Sequence, residues 1–253
     1  MLKRNIVLLI AFASFAGSVY AQVRPGIKLG YNLGGVMADY RGVNTPEERK
    51  RTAGDPDNFK IKSGFQAGMI VDCPINDVLS IQPGARFSMQ GFVDKYTSGS
   101  SSESSSKSTR KFSLYYLQVP VYAQYRWNVY EETNVLFQAG PYAGFGLFGR
   151  QSYMRNGKQQ DLNDAQKKKT FGDGTAKDIQ KAFDFGIGVG AGIEFYRFQL
   201  MLAYDFGLSK SPFHMDSSRT KSGSYHVDMR NHNFSVTLAV IFGRRDPLQN
   251  QKD

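Results

Sequence analysis

The sequence predicts an all-β fold: an eight-stranded antiparallel up-and-down transmembrane β-barrel with long extracellular loops and short periplasmic turns. Three observations lead there. Apolar residues recur at every second position in eight separate stretches, the period of a strand with two unlike faces. The bulky face is apolar and aromatic while the alternate face is small or polar. That inverts the soluble sandwich and matches a wall with lipid outside. The links between the stretches alternate, long then short, as in bacterial barrels with short periplasmic turns.

Phe183–Leu208 shows the pattern most fully. Phe183, Phe185, Ile187, Val189, Ala191, Ile193 and Phe195 alternate with Asp184, four glycines and Glu194. After Tyr196-Arg197 the alternation resumes with Phe198, Leu200, Leu202, Tyr204, Phe206 and Leu208. These are the sixth and seventh strands. The first, Pro25–Gly35, sets Ile27, Leu29, Tyr31 and Leu33 against Lys28, Gly30, Asn32 and Gly34. The second is Ser63–Cys73, followed by the turn Pro74-Ile75-Asn76-Asp77. The third is Leu79–Gly91, where Pro83 lacks a ladder donor and predicts a bulge or local irregularity. The fourth, Ser113–Trp127, and the fifth, Asn134–Phe148, are joined by a short link, and the eighth is His232–Gly243.

Between them, Val36–Lys62, Phe92–Lys111, Gly149–Lys181 and Lys210–Asn231 read as long polar loops. The second contains a Ser-rich tract that cannot bury a core. The third carries a predicted short helix around Asp161–Lys169. Long links follow the odd-numbered strands, which places both chain ends on the periplasmic side.

Lys3 and Arg4, the apolar run Ile6–Phe15 and Val19-Tyr20-Ala21 describe a signal peptide over residues 1–21. The barrel domain is then expected over 22–243, with a periplasmic tail at 244–253. No later run is apolar enough for a spanning helix. An exported chain whose strands face lipid belongs in an outer membrane. Cys73 is the single cysteine, so no intrachain disulfide forms. The formal charge is +10, but the basic residues gather in loop-like stretches such as Arg49-Lys50-Arg51 and Lys167-Lys168-Lys169. They suit anionic lipid headgroups, surface polysaccharide or an acidic partner better than nucleic acid.

Candidate chemistry is sparse. Gly186, Gly188, Gly190 and Gly192 lie within a strand at period two, unlike a phosphate loop between strand and helix. Small inward residues that let a narrow barrel close account for them. Asp205-Phe206-Gly207 spells a kinase triplet without the other kinase motifs. His214, His226 and His232, with Asp216 or Asp228, match no compact metal spacing, and Ser88 and Ser209 lack a recognisable catalytic setting. No cofactor is expected. The inward set includes Lys28, Gln66, Asp72, Arg86, Arg126, Asp184, Glu194 and Asp205. An eight-stranded interior is about filled by its own side chains, and isolated buried charge is costly. Arg86 and Arg126 are therefore expected to meet some of Asp184, Glu194 and Asp205 in a polar plug.

Several segments resemble the Bacteroidetes-type outer-membrane β-barrel family labelled "porin family" or PorT-like. They are Gly26-Ile27-Lys28-Leu29-Gly30, Leu79-Ser80-Ile81-Gln82-Pro83-Gly84, Tyr115-Tyr116-Leu117-Gln118-Val119-Pro120, Gly140-Pro141-Tyr142, Gly188-Val189-Gly190-Ala191-Gly192-Ile193-Glu194 and Tyr204-Asp205-Phe206-Gly207-Leu208. The resemblance implies an eight-stranded outer-membrane barrel without catalytic residues, whose better-known relatives serve type IX secretion and gliding. One departure is the C-terminus: Phe242 is followed by eleven residues, where many barrels end on an aromatic. The expected role is non-enzymatic, a scaffold or component of a surface or secretion assembly set in outer-membrane lipid. The alternative is a narrow channel for small solutes, and a membrane-embedded enzyme would need a nucleophile and base that the sequence does not bring together.

Overall fold

The computed structural model of the protein describes residues 23–41, 59–98, 106–160, 169–172, 178–213 and 226–243. Among them the strands are, in chain order, β1 (Arg24–Arg41), β2 (Phe59–Pro74), β3 (Leu79–Ser98), β4 (Ser106–Tyr130), β5 (Thr133–Arg155), β6 (Lys158–Gln160), β7 (Lys169–Gly172), β8 (Asp178–Lys181), β9 (Phe183–Phe195), β10 (Phe198–Gly207), β11 (Ser211–Phe213) and β12 (His226–Ile241). Neighbours pair in sequence from β1 through β5 to β9, β10 and β12, and β12 pairs back with β1. The result is a closed, antiparallel, up-and-down ring of eight long strands with no free edge.

The ring is staggered. Carried through the registers, a step that leaves β1 at Gly26 passes Ile70, Gly84, Pro120, Tyr142, Gly186, Gly207 and Asn231 and re-enters β1 at Val36. Such a shear requires tilted strands and a narrow bore. Alternation sorts the side chains: Ile27 is 50% exposed and Leu29 63%, whereas Lys28 between them is 7% exposed. The apolar residues therefore form the outer surface, and the polar residues fill the lumen.

An apolar band girdles the outside. At the long-loop end Phe65, Phe87, Tyr115 and Phe148 touch in a row across β2–β5, with ring centroids 6.0, 5.8 and 4.5 Å apart. At the short-turn end stand Trp127, Tyr130, Phe195, Tyr196 and Phe198, all exposed. From Tyr115 to Trp127, at about 3.3 Å per residue and a tilt of about 40°, the wall rises roughly 30 Å, the thickness of a bilayer's hydrocarbon core.

The strands run further than alternation predicts. β1 continues to Arg41, β3 to Ser98 and β5 to Arg155, while β2 starts at Phe59, β4 at Ser106 and β12 at His226. The segments read as loop thus begin and end as paired strand beyond the apolar band. There the outer face meets water and carries Lys, Arg and Ser, so the lipid-facing signal vanishes while pairing persists. Lys169, placed in a predicted helix, opens β7, and 161–168 lie outside the described residues, as do 99–105 of the Ser-rich tract. Nor does Pro83 shift the register: the β2–β3 and β3–β4 ladders keep the same alignment on both its sides. The β2–β3 ladder does skip the pairs between Ile70/Gly84 and Cys73/Ile81, a local irregularity around Pro83, whereas register shifts fall between Ile61 and Gln66, at Tyr115/Tyr116 and at Asn128/Tyr130. The expected signal peptide, 1–21, and tail, 244–253, lie outside the described residues.

Candidate functional site

The lumen is organised in layers along the barrel axis. Nearest the short turns, Arg126 reaches from β4 to three strands. Its Nε donates to Glu194 Oε1 at 3.1 Å, Nη1 to Ser80 Oγ at 2.7 Å and Nη2 to Asp72 Oδ1 at 2.9 Å. Asp72 also accepts from Arg24, Nε at 3.1 Å and Nη2 at 2.5 Å. Glu194 accepts from Asn134 at 3.2 Å and Gln199 at 2.6 Å. Two arginines and two carboxylates, each at most 4% exposed, thus neutralise one another. Charge-assisted bonds of this kind fix the partners' geometry as well as compensating their desolvation.

One layer up, Arg86 Nη2 donates to Asp205 Oδ2 at 2.6 Å while its Nε donates to Gln118 Oε1 at 2.9 Å. Tyr122 Oη donates to Asp205 Oδ1 at 3.1 Å, and the guanidinium lies 6.0 Å from the Tyr142 ring centre. The glycines of β9 make room for these groups. A Cβ on Gly188 would sit 2.5 Å from Tyr122 Oη and 2.8 Å from Asp205 Oδ1, and one on Gly186 would sit 2.7 Å from Tyr142 Oη. Gly186 and Gly188 are therefore the receiving face for large side chains of β4 and β5, while Gly192 faces Met201 of β10.

Asp184 meets neither arginine. Ser209 Oγ donates to its Oδ1, and Asn231 Nδ2 donates to its Oδ2 at 3.3 Å and to Tyr116 Oη at 3.1 Å. Of the five residues singled out in the sequence, the structure joins Arg86 to Asp205 and Arg126 to Glu194, and leaves Asp184 to neutral donors. Arg24 was absent from that set, although it shares the inward parity of Gly26 and Lys28. It stands just before the first apolar residue of its strand, so alternation gave it no face.

Above the polar layers the lumen turns apolar. Phe92, Phe112, Leu114, Tyr116 and Met229 form a buried cluster with Phe171, flanked by Val36, Phe59 and Ala182. Phe171 comes from β7, which pairs with β8 in a two-stranded parallel sheet apart from the wall. Its ring lies 5.2 Å from that of Tyr116, edge to face. It also covers Gly146, where a Cβ would sit 2.5 Å from the ring. The insertion between β5 and β9 thus folds back and seats an aromatic stopper in the mouth.

The other candidates fall elsewhere. His214 lies outside the described residues, and His226 opens β12. His232 is half-buried, 6.1 Å from the Tyr204 ring. Among the described residues no three His, Cys, Asp or Glu side chains gather as a metal site. Ser88 accepts hydrogen bonds from Asn32 at 3.0 Å and Gln90 at 3.1 Å inside the lumen.

Among solved structures, the chain is similar to Ail, the attachment invasion locus protein of Yersinia pestis, at 13% identity and a TM-score of 0.36, covering 87% of this chain and 98% of that one. It is similar to Neisserial surface protein A at 13% identity and a TM-score of 0.33, covering 85% and 97%. It is also similar to the outer membrane protein AlkL at 10% identity and a TM-score of 0.32, covering 91% and 95%. No curated protein matches. The family model described as "Outer membrane protein beta-barrel domain" matches residues 15–211, most of the chain. The chain therefore belongs to the outer membrane β-barrel family and is an outer-membrane protein.

Proposed function

We propose that this barrel is a non-enzymatic, non-conducting anchor, a scaffold or component of a surface or secretion assembly that recognises its partner through the long extracellular loops. The observation that carries this reading is the filled lumen. Ion pairs cross it at two levels, Arg126–Glu194/Asp72 and Arg86–Asp205, and an apolar cluster stops its mouth. Side chains so engaged with one another are not arranged around a substrate. The resemblance of the strand segments to PorT-like barrels supports a place in secretion or gliding machinery. The strands that rise beyond the apolar band supply a rigid base for the loops.

A second reading, a narrow channel for small solutes, draws on unpaired polar atoms in the same lumen. Among the described residues, Gln66 Nε2 and Oε1, Asn233 Oδ1 and Ser235 Oγ are buried without a partner, and buried polar groups of this kind ordinarily bind water. Single-channel recording of the refolded chain, after its heat-modifiable gel mobility has been verified, separates the two. Silence is expected; discrete and reproducible steps would overturn the anchor in favour of the channel.

A further inference from the structure

Outside the barrel, directly beyond the stacked aromatic row, β2–β5 carry a basic patch. Lys60 pairs with Val93, Val93 with Lys111, and Lys111 with Ser152, so these four form one row across four strands on a single face. Lys95 lies two residues beyond Val93, and Arg150 two residues beyond Phe148. Lys60, Lys95, Lys111 and Arg150 are all exposed. Lys62 stands close enough to Lys111 for the two cations to repel. Among the described residues none of these five is in an ion pair. Asp94, the carboxylate on the same stretch of β3, is buried on the opposite face. Cations gathered on one face repel one another, and an anion among them relieves that repulsion.

The height and the surroundings of the patch define that anion. It lies at headgroup depth, immediately past the girdle Phe65–Phe87–Tyr115–Phe148. Beneath it the same strands present Met69, Leu117, Val119 and Phe145 to the membrane. A ligand matching both must carry phosphate above and acyl chains below. We propose that the β2–β5 face holds a phosphate-bearing glycolipid of the outer leaflet, with Lys60, Lys111 and Arg150 clamping its phosphate and Lys95 and Lys62 flanking it. This site is independent of the lumen and of whether the barrel conducts.

The test is direct. Full-length refolded protein is placed in phosphatidylcholine nanodiscs doped with phosphorylated lipid A, and the lipid retained on delipidation is quantified by native mass spectrometry. Wild type is expected to retain the phosphorylated lipid and to release the dephosphorylated form. The variant Lys60→Gln/Lys111→Gln/Arg150→Gln is expected to bind roughly a hundredfold more weakly. The charge-matched control Arg155→Gln/Lys158→Gln/Lys181→Gln should behave as wild type. Equal retention by the patch variant, or equal retention of dephosphorylated lipid, would overturn the site. Displacement by millimolar inorganic phosphate would overturn the lipid assignment in favour of a small-anion site. If the patch variant does not fold, wild-type retention at rising salt decides: a bond made by exposed charges weakens steeply, and salt-independent retention refutes it.

Discussion

Asp205 illustrates how the lumen's side chains depend on one another. It accepts from Arg86, Tyr122 and Asn233 at 2.6, 3.1 and 3.5 Å while 1% exposed. Asp205→Ala leaves the Arg86 guanidinium buried without its counter-charge, a change expected to cost about 3–5 kcal/mol. Arg86→Met/Asp205→Ala removes both charges and should cost clearly less, because the penalty of the single variant is mostly that of the orphaned partner. Urea unfolding in detergent reads this through Trp127, the only tryptophan; equal losses in single and double variants would show that the pair is not coupled. Gly188 offers a steric counterpart. Gly188→Val pushes against Tyr122 Oη, 2.5 Å from the first added carbon, and breaks the tyrosine's bond to Asp205. A loss of about 1–3 kcal/mol is expected in the same assay, and the further change Tyr122→Phe should recover part of it by removing the crowded hydroxyl.

At the scale of elements, the insertion between β5 and β9 meets the mouth through the Phe171 ring, with Ala182 packed beside it and the Ala182 carbonyl accepting from Gly146 N at 2.6 Å. Phe171→Ala removes the stopper and should expose β7 and β8 to amide hydrogen exchange while leaving β5 and β9 protected. Gly146→Val should reproduce that pattern from the other side, since its side chain would occupy the space of the Phe171 ring. Protection of β7 unchanged in both variants would mean that other contacts hold the insertion. This element also shows where sequence reading stopped. Alternation at Ile27/Lys28 or Ile187/Gly188 needs lipid on one side and a filled lumen on the other, and both strands were legible from it. Where β3 and β4 rise beyond the apolar band, Val93, Lys95, Thr109 and Lys111 no longer face hydrocarbon, so the outer residues no longer contrast with the inner ones. The inner residues Phe92, Phe112 and Leu114 kept their parity there, but a local pattern does not announce that they face Phe171, far later in the chain. The pairing of Arg86 with Asp205, across 119 positions, was legible only as a requirement that buried charges find partners. Which partners they find depends on the ring's stagger.

For the whole molecule, the closures lie in series. A pore's resistance is dominated by its tightest constriction, so opening one closure leaves the current near zero while another stays shut. Phe171→Ala removes the ring seated in the mouth and leaves Phe92, Phe112, Leu114, Tyr116 and Met229 around it, while below it Arg86–Asp205 and Arg126–Glu194 still cross the bore. Arg86→Ala/Asp205→Ala clears the middle and removes equal and opposite charge. Arg126→Ala/Glu194→Ala clears the lower layer and leaves Arg24 paired with Asp72 at 2.5 Å, so neutrality is kept at each step. Bilayer recordings of the folded variants are expected to stay silent for each closure opened alone. Steps should appear only when all three are opened together, with a conductance that survives reversal of the voltage. If Phe171→Ala alone conducts as well as the combined variant, the ion pairs do not seal the lumen and the mouth is a gate over an open channel. If the combined variant is folded and still silent, the remaining Tyr122, Tyr142 and Gln118 side chains fill the bore by themselves, and closure is a property of the narrow staggered ring rather than of its charges.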